Sequence, residues 1–219
     1  MRCRKCHGTA VINMRHHKLS LCGEHYVEWF TQYTARTIQK YHMFTPEDRI
    51  LVAVSGGKDS LALWDVLLGQ GYQADGLYIG LGIDGGFGYS DKSLEKTASF
   101  AAQHPEAKLI VADLKEERGY SIPELAIAKR RLHKPCSVCG LVKRHTMNRV
   151  ALEGRYTVLA TGHNLDDEAA VLMQNALRWQ TGYLARQYPV LEESEGLARK
   201  VKPLCLFYER EVAAYTLVR

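Results

Sequence analysis

The apolar run ILVAV at residues 50–54 passes straight into SGGKDS and then into the helical pattern DSLALWDVLLG. This order of strand, glycine turn and helix narrows the fold more than any other feature of the chain. A strand that is apolar at every position is buried on both faces. Three further runs of the same kind follow, LYIGLGI (77–83), LIVADL (109–114) and YTVLATG (156–162), with helical patterns between them near 59–69, 91–104, 138–153 and 166–179. Apolar strands alternating with helices predict an α/β fold, a parallel sheet with helices on both faces. Ligands of such sheets bind at the carboxyl ends of the strands, which directs attention to residues 55–60.

The 219 residues, 46% of them hydrophobic, are enough to bury a full core in one main domain with a small appendage. No apolar run approaches the roughly 18 residues of a membrane span. The N-terminus MRCRKCHG carries cysteines and charges where a signal peptide needs an apolar stretch. The expectation is a cytoplasmic, folded protein with no membrane partner. In that compartment six cysteines point to metal or redox chemistry before disulfides.

Within SGGKDS, Gly56 and Gly57 let the backbone approach an anion closely, and the helix that begins at Asp59 offers unpaired N–H groups and a favourable dipole. The stretch is a phosphate cradle. It is not the Walker A loop, whose glycines flank four residues and whose lysine precedes Ser or Thr, because Lys58 precedes Asp59. Ser55-x-x-Lys58 matches a beta-lactamase tetrad by chance, without the SDN or KTG elements. A second strand-to-helix turn, LATGHNLDDEAA (159–170), places Asp166 and Asp167 where they could hold Mg²⁺ on a pyrophosphate. An N-capping role would explain one of these acids but not both.

The cysteines fall into groups. Cys3-x-x-Cys6, fifteen residues and Cys22-x-x-His25 form a four-ligand set for tetrahedral Zn²⁺ of the closed, structural kind. Cys136-x-x-Cys139, in PCSVCGLVKRH, leaves zinc, disulfide exchange and iron–sulfur ligation open on spacing alone. It sits in a stretch with seven Lys or Arg (Lys129, Arg130, Arg131, Lys134, Lys143, Arg144, Arg149) and no acid, a surface suited to a polyanion or, more plainly, a solvated helix face. The chain divides into an N-terminal zinc-binding unit (1–25), a connecting amphipathic helix (26–48) ending before Pro46, and the α/β domain (49–219).

SGGKDS after a first strand resembles the PP-loop ATP pyrophosphatases, a Rossmann-like fold whose members cleave ATP between the alpha and beta phosphates. Taken with the zinc unit, PCSVCGLVKRH and GHNLDDEA in this order, the chain resembles the tRNA 2-thiouridine synthetase branch that uses a ubiquitin-like sulfur carrier. The resemblance implies ATP held by Ser55, Gly56, Gly57, Lys58, Asp59, Ser60, Ile79, Lys143, Gly162 and Asp167. Adenine would lie near Tyr78 and Ile79. It further implies Lys58, Asp59, Asp167 and Lys143 as catalytic groups acting with Mg²⁺, and Cys136 and Cys139 as two of three ligands of a [4Fe-4S] cluster. tRNA would meet Lys129, Arg130, Arg131, Lys134 and Arg144, a sulfur carrier protein would deliver sulfur, and a homodimer is compatible with the pattern. The reaction implied is adenylation of uridine O2 followed by sulfur transfer.

One feature departs from the family pattern. The third cluster cysteine belongs after the helix that starts near YEREVAAYTLVR, and the sequence stops at Arg219, so the expectation is a C-terminally incomplete domain whose cluster set lacks a ligand. Cys205, expected on a strand, reads as a small buried hydrophobe. His163 is expected to satisfy a hydrogen bond and Tyr78 to pack. Two other classes compete: a PP-loop enzyme that adenylates for ligation or amide formation, and a non-catalytic zinc-containing RNA-binding protein.

Overall fold

The computed structural model describes residues 1–83, 88–128, 135–184 and 187–219. Two short strands, β1 (Ile12–Met14) and β2 (Leu19–Leu21), pair antiparallel around a 3-10 turn at 15–17 that closes with Lys18 in the left-handed region. The chain then enters α1 (Gly23–Lys40), β3 (Arg49–Val54), α2 (Lys58–Gly69), β4 (Gln73–Gly80), α3 (Tyr89–Ala102) and β5 (Leu109–Asp113). Two short helices follow, α4 (Leu114–Arg118) and α5 (Ile122–Ala128), before the long α6 (Pro135–Glu153) and β6 (Val158–Thr161). Then come α7 (Leu165–Leu177), α8 (Thr181–Leu184), β7 (Val190–Leu191), β8 (Lys200–Val201) and α9 (Glu209–Val218).

The six-stranded sheet has the order β5-β4-β3-β6-β8-β7, and every pairing is parallel except that of β7 with β8. The expected parallel α/β architecture is present. From β3 the chain moves outward to β4 and β5, then returns to lay β6 and β8 on the other side, so the carboxyl end of β3 is a topological switch point. β3 shows why its sequence is apolar throughout. Ile50, Val52 and Val54 join the core on one face, while Leu51 joins a second core on the other, with Leu77, Ala151 and Leu159.

The larger core also contains the N-terminal unit. Tyr26 and Phe30 on α1 are fully buried, with Phe30 stacked on Tyr215 at 4.0 Å and 4.3 Å from Phe207. The Tyr26 hydroxyl donates to the Glu211 carbonyl at 2.6 Å. Burying a side chain the size of Phe30 contributes about 1.5–3 kcal/mol, so α1 is a fixed part of the domain. At the other end of α9, the Asp65 carboxylate accepts from Tyr215 at 2.5 Å and from Arg219 at 2.9 and 3.0 Å, tying α9 to α2.

Three expectations require correction. The connecting helix starts at Gly23 and stops at Lys40, because the Cys22-x-x-His25 element is itself the first helical turn and His42 takes a positive φ. Cys205 lies in a turn between β8 and α9 and not on a strand, although it is buried as expected. Arg149 is not part of a free basic stripe, since it pairs with Glu117 and Glu153. Lys129, Arg130, Arg131 and Lys134 lie outside the described residues.

Candidate nucleotide site and metal centre

The glycine loop joins the end of β3 to α2, with Gly57 in extended backbone as the N-cap. Gly56 has φ +71°, and a Cβ there would stand 2.5 Å from the Ser93 carbonyl oxygen, so both the conformation and the space require glycine. Ser60 holds the loop shut: its hydroxyl donates to the Gly57 carbonyl at 2.9 Å and accepts from the Ser55 N–H at 3.1 Å. The first N–H groups of α2 have no partner within the helix and sit at its positive end. They are available to an anion.

A cavity of about 580 Å³ opens over this loop at the carboxyl ends of β3, β4 and β6. Ser55, Gly57, Asp59 and Ser60 line one side, Leu77, Tyr78 and Ile79 of β4 another. Thr161, Gly162, His163 and Asp167 come from the β6–α7 turn, and Gly140, Lys143, Arg144 and Met147 of α6 face them. Thus most of the expected ATP set converges on one space. Two of that set do not stand on the wall. Gly56 packs beneath the loop against Ser93, and Lys58 turns its amine to Asp59 at 2.9 Å and to Glu209 at 3.1 Å. Burial disfavours the Lys58 ammonium, but the hydrogen bonds to these two carboxylates outweigh it and raise its pKa.

The two acids of the second motif separate. Asp166 caps α9 by accepting from the Glu209 N–H at 2.7 Å, whereas Asp167 lines the cavity. Asn164 is the N-cap of α7, and Asp167 completes the capping box at 3.1 Å in each direction. Asn164 also donates to Asp59 at 3.2 Å, which couples the second turn to the glycine loop. Tyr78 is nearly buried, its hydroxyl donating to the Ser90 carbonyl at 2.8 Å, a packing role. His163 contacts the Thr161 hydroxyl through Nδ1 at 2.9 Å, and desolvation followed by Lys200 and Lys202 lowers its pKa. Sequence reasoning missed Lys200, a cavity residue on β8. Its strand is two residues long and gives no periodic signal.

In the N-terminal unit the ligand atoms of Cys3, Cys6, Cys22 and His25 lie within 4.8 Å of one another. The separations are 3.6 Å for Cys3 Sγ to His25 Nδ1, 3.7 Å for Cys6 Sγ to Cys22 Sγ and 3.2 Å for Cys22 Sγ to His25 Nδ1. A tetrahedral zinc with Zn–S near 2.3 Å and Zn–N near 2.0 Å has edges of about 3.5–3.8 Å. The donor set therefore fits a closed zinc-type site. Cys136 is exposed and Cys139 half-buried in the first turns of α6, next to the lining residue Gly140. The remaining thiol, Cys205, is buried, and desolvation followed by the charge of Glu168 pushes its pKa up to about 11. Burial and the charge of Glu168 both disfavour the Cys205 thiolate.

A glycine loop at the switch point of a parallel sheet, with an acid-bearing helix start facing it, defines a protein of the PP-loop fold class. Residues 2–27 match the model of the 2-thiouridine synthetase TtuA N-terminal LIM domain. Over 219 residues the chain is 53% identical to a tRNA-5-methyluridine(54) 2-sulfurtransferase of Thermus thermophilus, covering 100% of this chain and 66% of that protein. It is 43% identical over 217 residues to the enzyme of the same name from Thermotoga maritima, covering 98% and 69%. The U34-tRNA thiolase NcsA of Methanococcus maripaludis, solved with its [4Fe-4S] cluster, superposes with a TM-score of 0.83 at 25% identity, covering 100% of this chain and 71% of that one. The chain belongs to the tRNA 2-thiouridine synthetase family of these sulfurtransferases. It spans about two thirds of the length of these two sulfurtransferases. Among the described residues no helix is long and apolar enough to cross a membrane.

Proposed function

We propose that the chain is a tRNA-uridine 2-sulfurtransferase, acting in the cytoplasm at uridine 54 in the manner of the two sulfurtransferases named above. The observation that carries this reading is the convergence of the glycine loop, Asp59, Gly162, Asp167 and Lys143 on one cavity. ATP lies with its adenine against Tyr78 and Ile79 and its phosphates over the N–H groups of α2. Uridine O2 attacks the alpha phosphorus, the bond to the beta-phosphate oxygen breaks, and pyrophosphate leaves. A sulfur nucleophile then adds at C2, and AMP departs with the original O2.

Lys58, held beside the loop by Asp59 and Glu209, offsets charge on the phosphates, and Lys143 approaches from α6 to the alpha phosphate or the activated base. Asp59 and Asp167 are the residues that would hold Mg²⁺, which when bound neutralises the pyrophosphate leaving group. Zn²⁺ on Cys3, Cys6, Cys22 and His25 is structural. Cys136 and Cys139 are the residues of this sequence that would hold a [4Fe-4S] cluster, which when bound would present the sulfur that replaces O2. A ubiquitin-like carrier supplies the sulfur, tRNA follows the α6 face with Arg144, and a homodimer is compatible with this arrangement.

The test is pyrophosphate release with ATP and a tRNA transcript, combined with nucleoside mass spectrometry. Lys58→Ala and Asp59→Ala should each remove most of the release while leaving circular dichroism unchanged, since the Lys58 pairs are solvent-accessible and contribute little to stability. Near wild-type release in either variant would refute the assignment.

A further inference from the structure

The cavity has a second charged end. Across β6 from the glycine loop, Lys200 on β8, Lys143 and Arg144 on α6, and His163 face the same space. The carboxylates on the wall, Asp59 and Asp167, are engaged by Lys58 and Asn164 on the loop side. Neighbouring cations of β8 are accounted for: Lys202 pairs with Glu168 at 2.7 Å and Arg199 with Glu192 at 2.9 Å. The Lys200 amine has no hydrogen bond or ion pair among the described residues, and Arg144 bonds only the Gly140 carbonyl of its own helix, at 3.2 Å. Desolvation, then Lys202, work against the Lys200 charge and lower its pKa, while Glu168, itself paired with Lys202, acts the other way. A half-buried amine with no carboxylate bonded to it costs stability in the free protein unless a ligand brings the negative charge.

We propose that Lys200 and Arg144 form a phosphate-binding subsite at the acceptor end of the cavity, taking a phosphate oxyanion of the bound substrate. Sheet order places this subsite. The adenine wall is on β4, the phosphate loop on β3, and Lys200 lies two strands beyond β3 on the opposite side. A base that attacks the alpha phosphorus away from the adenine enters there, and its flanking phosphodiester comes within reach of Lys200. The inference rests on the adenylation reading above. The same chemistry could be met by a phosphate of ATP, and the experiment separates the two sources.

Lys200→Met and Lys200→Arg are compared with wild type in equilibrium binding of a non-hydrolysable ATP analogue and in tRNA binding across a salt series. A phosphodiester contact contributes about 0.7–0.9 to the slope of log affinity against log salt, so Lys200→Met should lower that slope by about one, with nucleotide affinity unchanged and Lys200→Arg restoring the slope. If the slope holds and nucleotide affinity falls about tenfold, the subsite stands and its phosphate belongs to ATP. The melting temperature of Lys200→Met should equal or exceed that of wild type. Unchanged slope and unchanged nucleotide affinity overturn the subsite, as does a lowered melting temperature with both bindings intact, which marks a structural lysine. Wild type that binds neither ligand sinks the adenylation reading first and this inference with it.

Discussion

Replacing Gly162 by alanine tests how closely the two turns of the site are fitted to each other. An added Cβ would stand 2.8 Å from the Asp59 carbonyl oxygen, 2.9 Å from its carbon and 3.0 Å from the Ser60 nitrogen. All three are backbone atoms in the first turn of α2, which cannot rotate away as a side chain would. Reaching an ordinary contact requires the β6–α7 turn and the glycine loop to separate by roughly 0.5 Å. Overpacking of this kind costs about 1–3 kcal/mol, and in a chain of this size that lowers Tm by about 2–12 °C. Asp167 rides on one turn and Asp59 on the other, so the separation also spoils the relative placement of the acids. A misplacement of 1 Å at a reacting centre can cost about a hundredfold, and half of that should cost about tenfold in pyrophosphate release. Differential scanning calorimetry and the release assay on the same preparation read both. A Gly162→Ala protein that melts within about 1 °C of wild type and keeps its release rate would show that the two turns are not in mutual contact.

Cys22→Ser should take bound zinc from one per chain to none and open the N-terminal unit to proteolysis, because metal binding there is coupled to folding; metal analysis and limited trypsin digestion check it. Phe30→Ala removes a ring stacked on Tyr215 and tilted against Phe207 and should cost about 3–5 kcal/mol by denaturant unfolding; a loss below 1 kcal/mol would contradict the packing role of α1. Cys205 has a folded pKa raised to about 11, so the unfolded chain gives up its proton first. Its contribution is therefore complete below about pH 9 and lost as pH rises through 11, by roughly 2–3 kcal/mol relative to Cys205→Ala. Equal pH profiles for the two proteins would show that this thiol is not desolvated.

The sequence carried the fold through β3. Its five apolar residues, followed by glycines, could only be a central strand feeding a phosphate turn, and Ile50 to Val54 do split between the two cores. The metal set was legible for a similar reason, since spacing alone fixes which atoms can meet. What escaped was decided by long-range neighbours. β7 and β8 have two residues each and exist because β6 offers an edge, so no local period announces them or Lys200. Asp166 and Asp167 look alike in GHNLDDEA, but one faces α9 and the other the cavity, a difference set by the direction of α7. Lys58 was expected on the cavity wall, and the position of Glu209, 151 residues further along the chain, turns it aside.

α1 carries a metal ligand, His25, in its first turn and core residues Phe30 and Ile38 further along the same rod. Thirteen residues of helix separate His25 from Ile38, about 20 Å, with no hinge between. α9 lies across this rod through Tyr26 and Phe30, and the first residue of α9 is Glu209, which holds the amine of Lys58. The N-terminal unit is consequently held at a set spacing from the cavity by a rod and not by a tether. Loss of the metal would slacken one end of a linkage whose other end steadies the lysine of the phosphate loop.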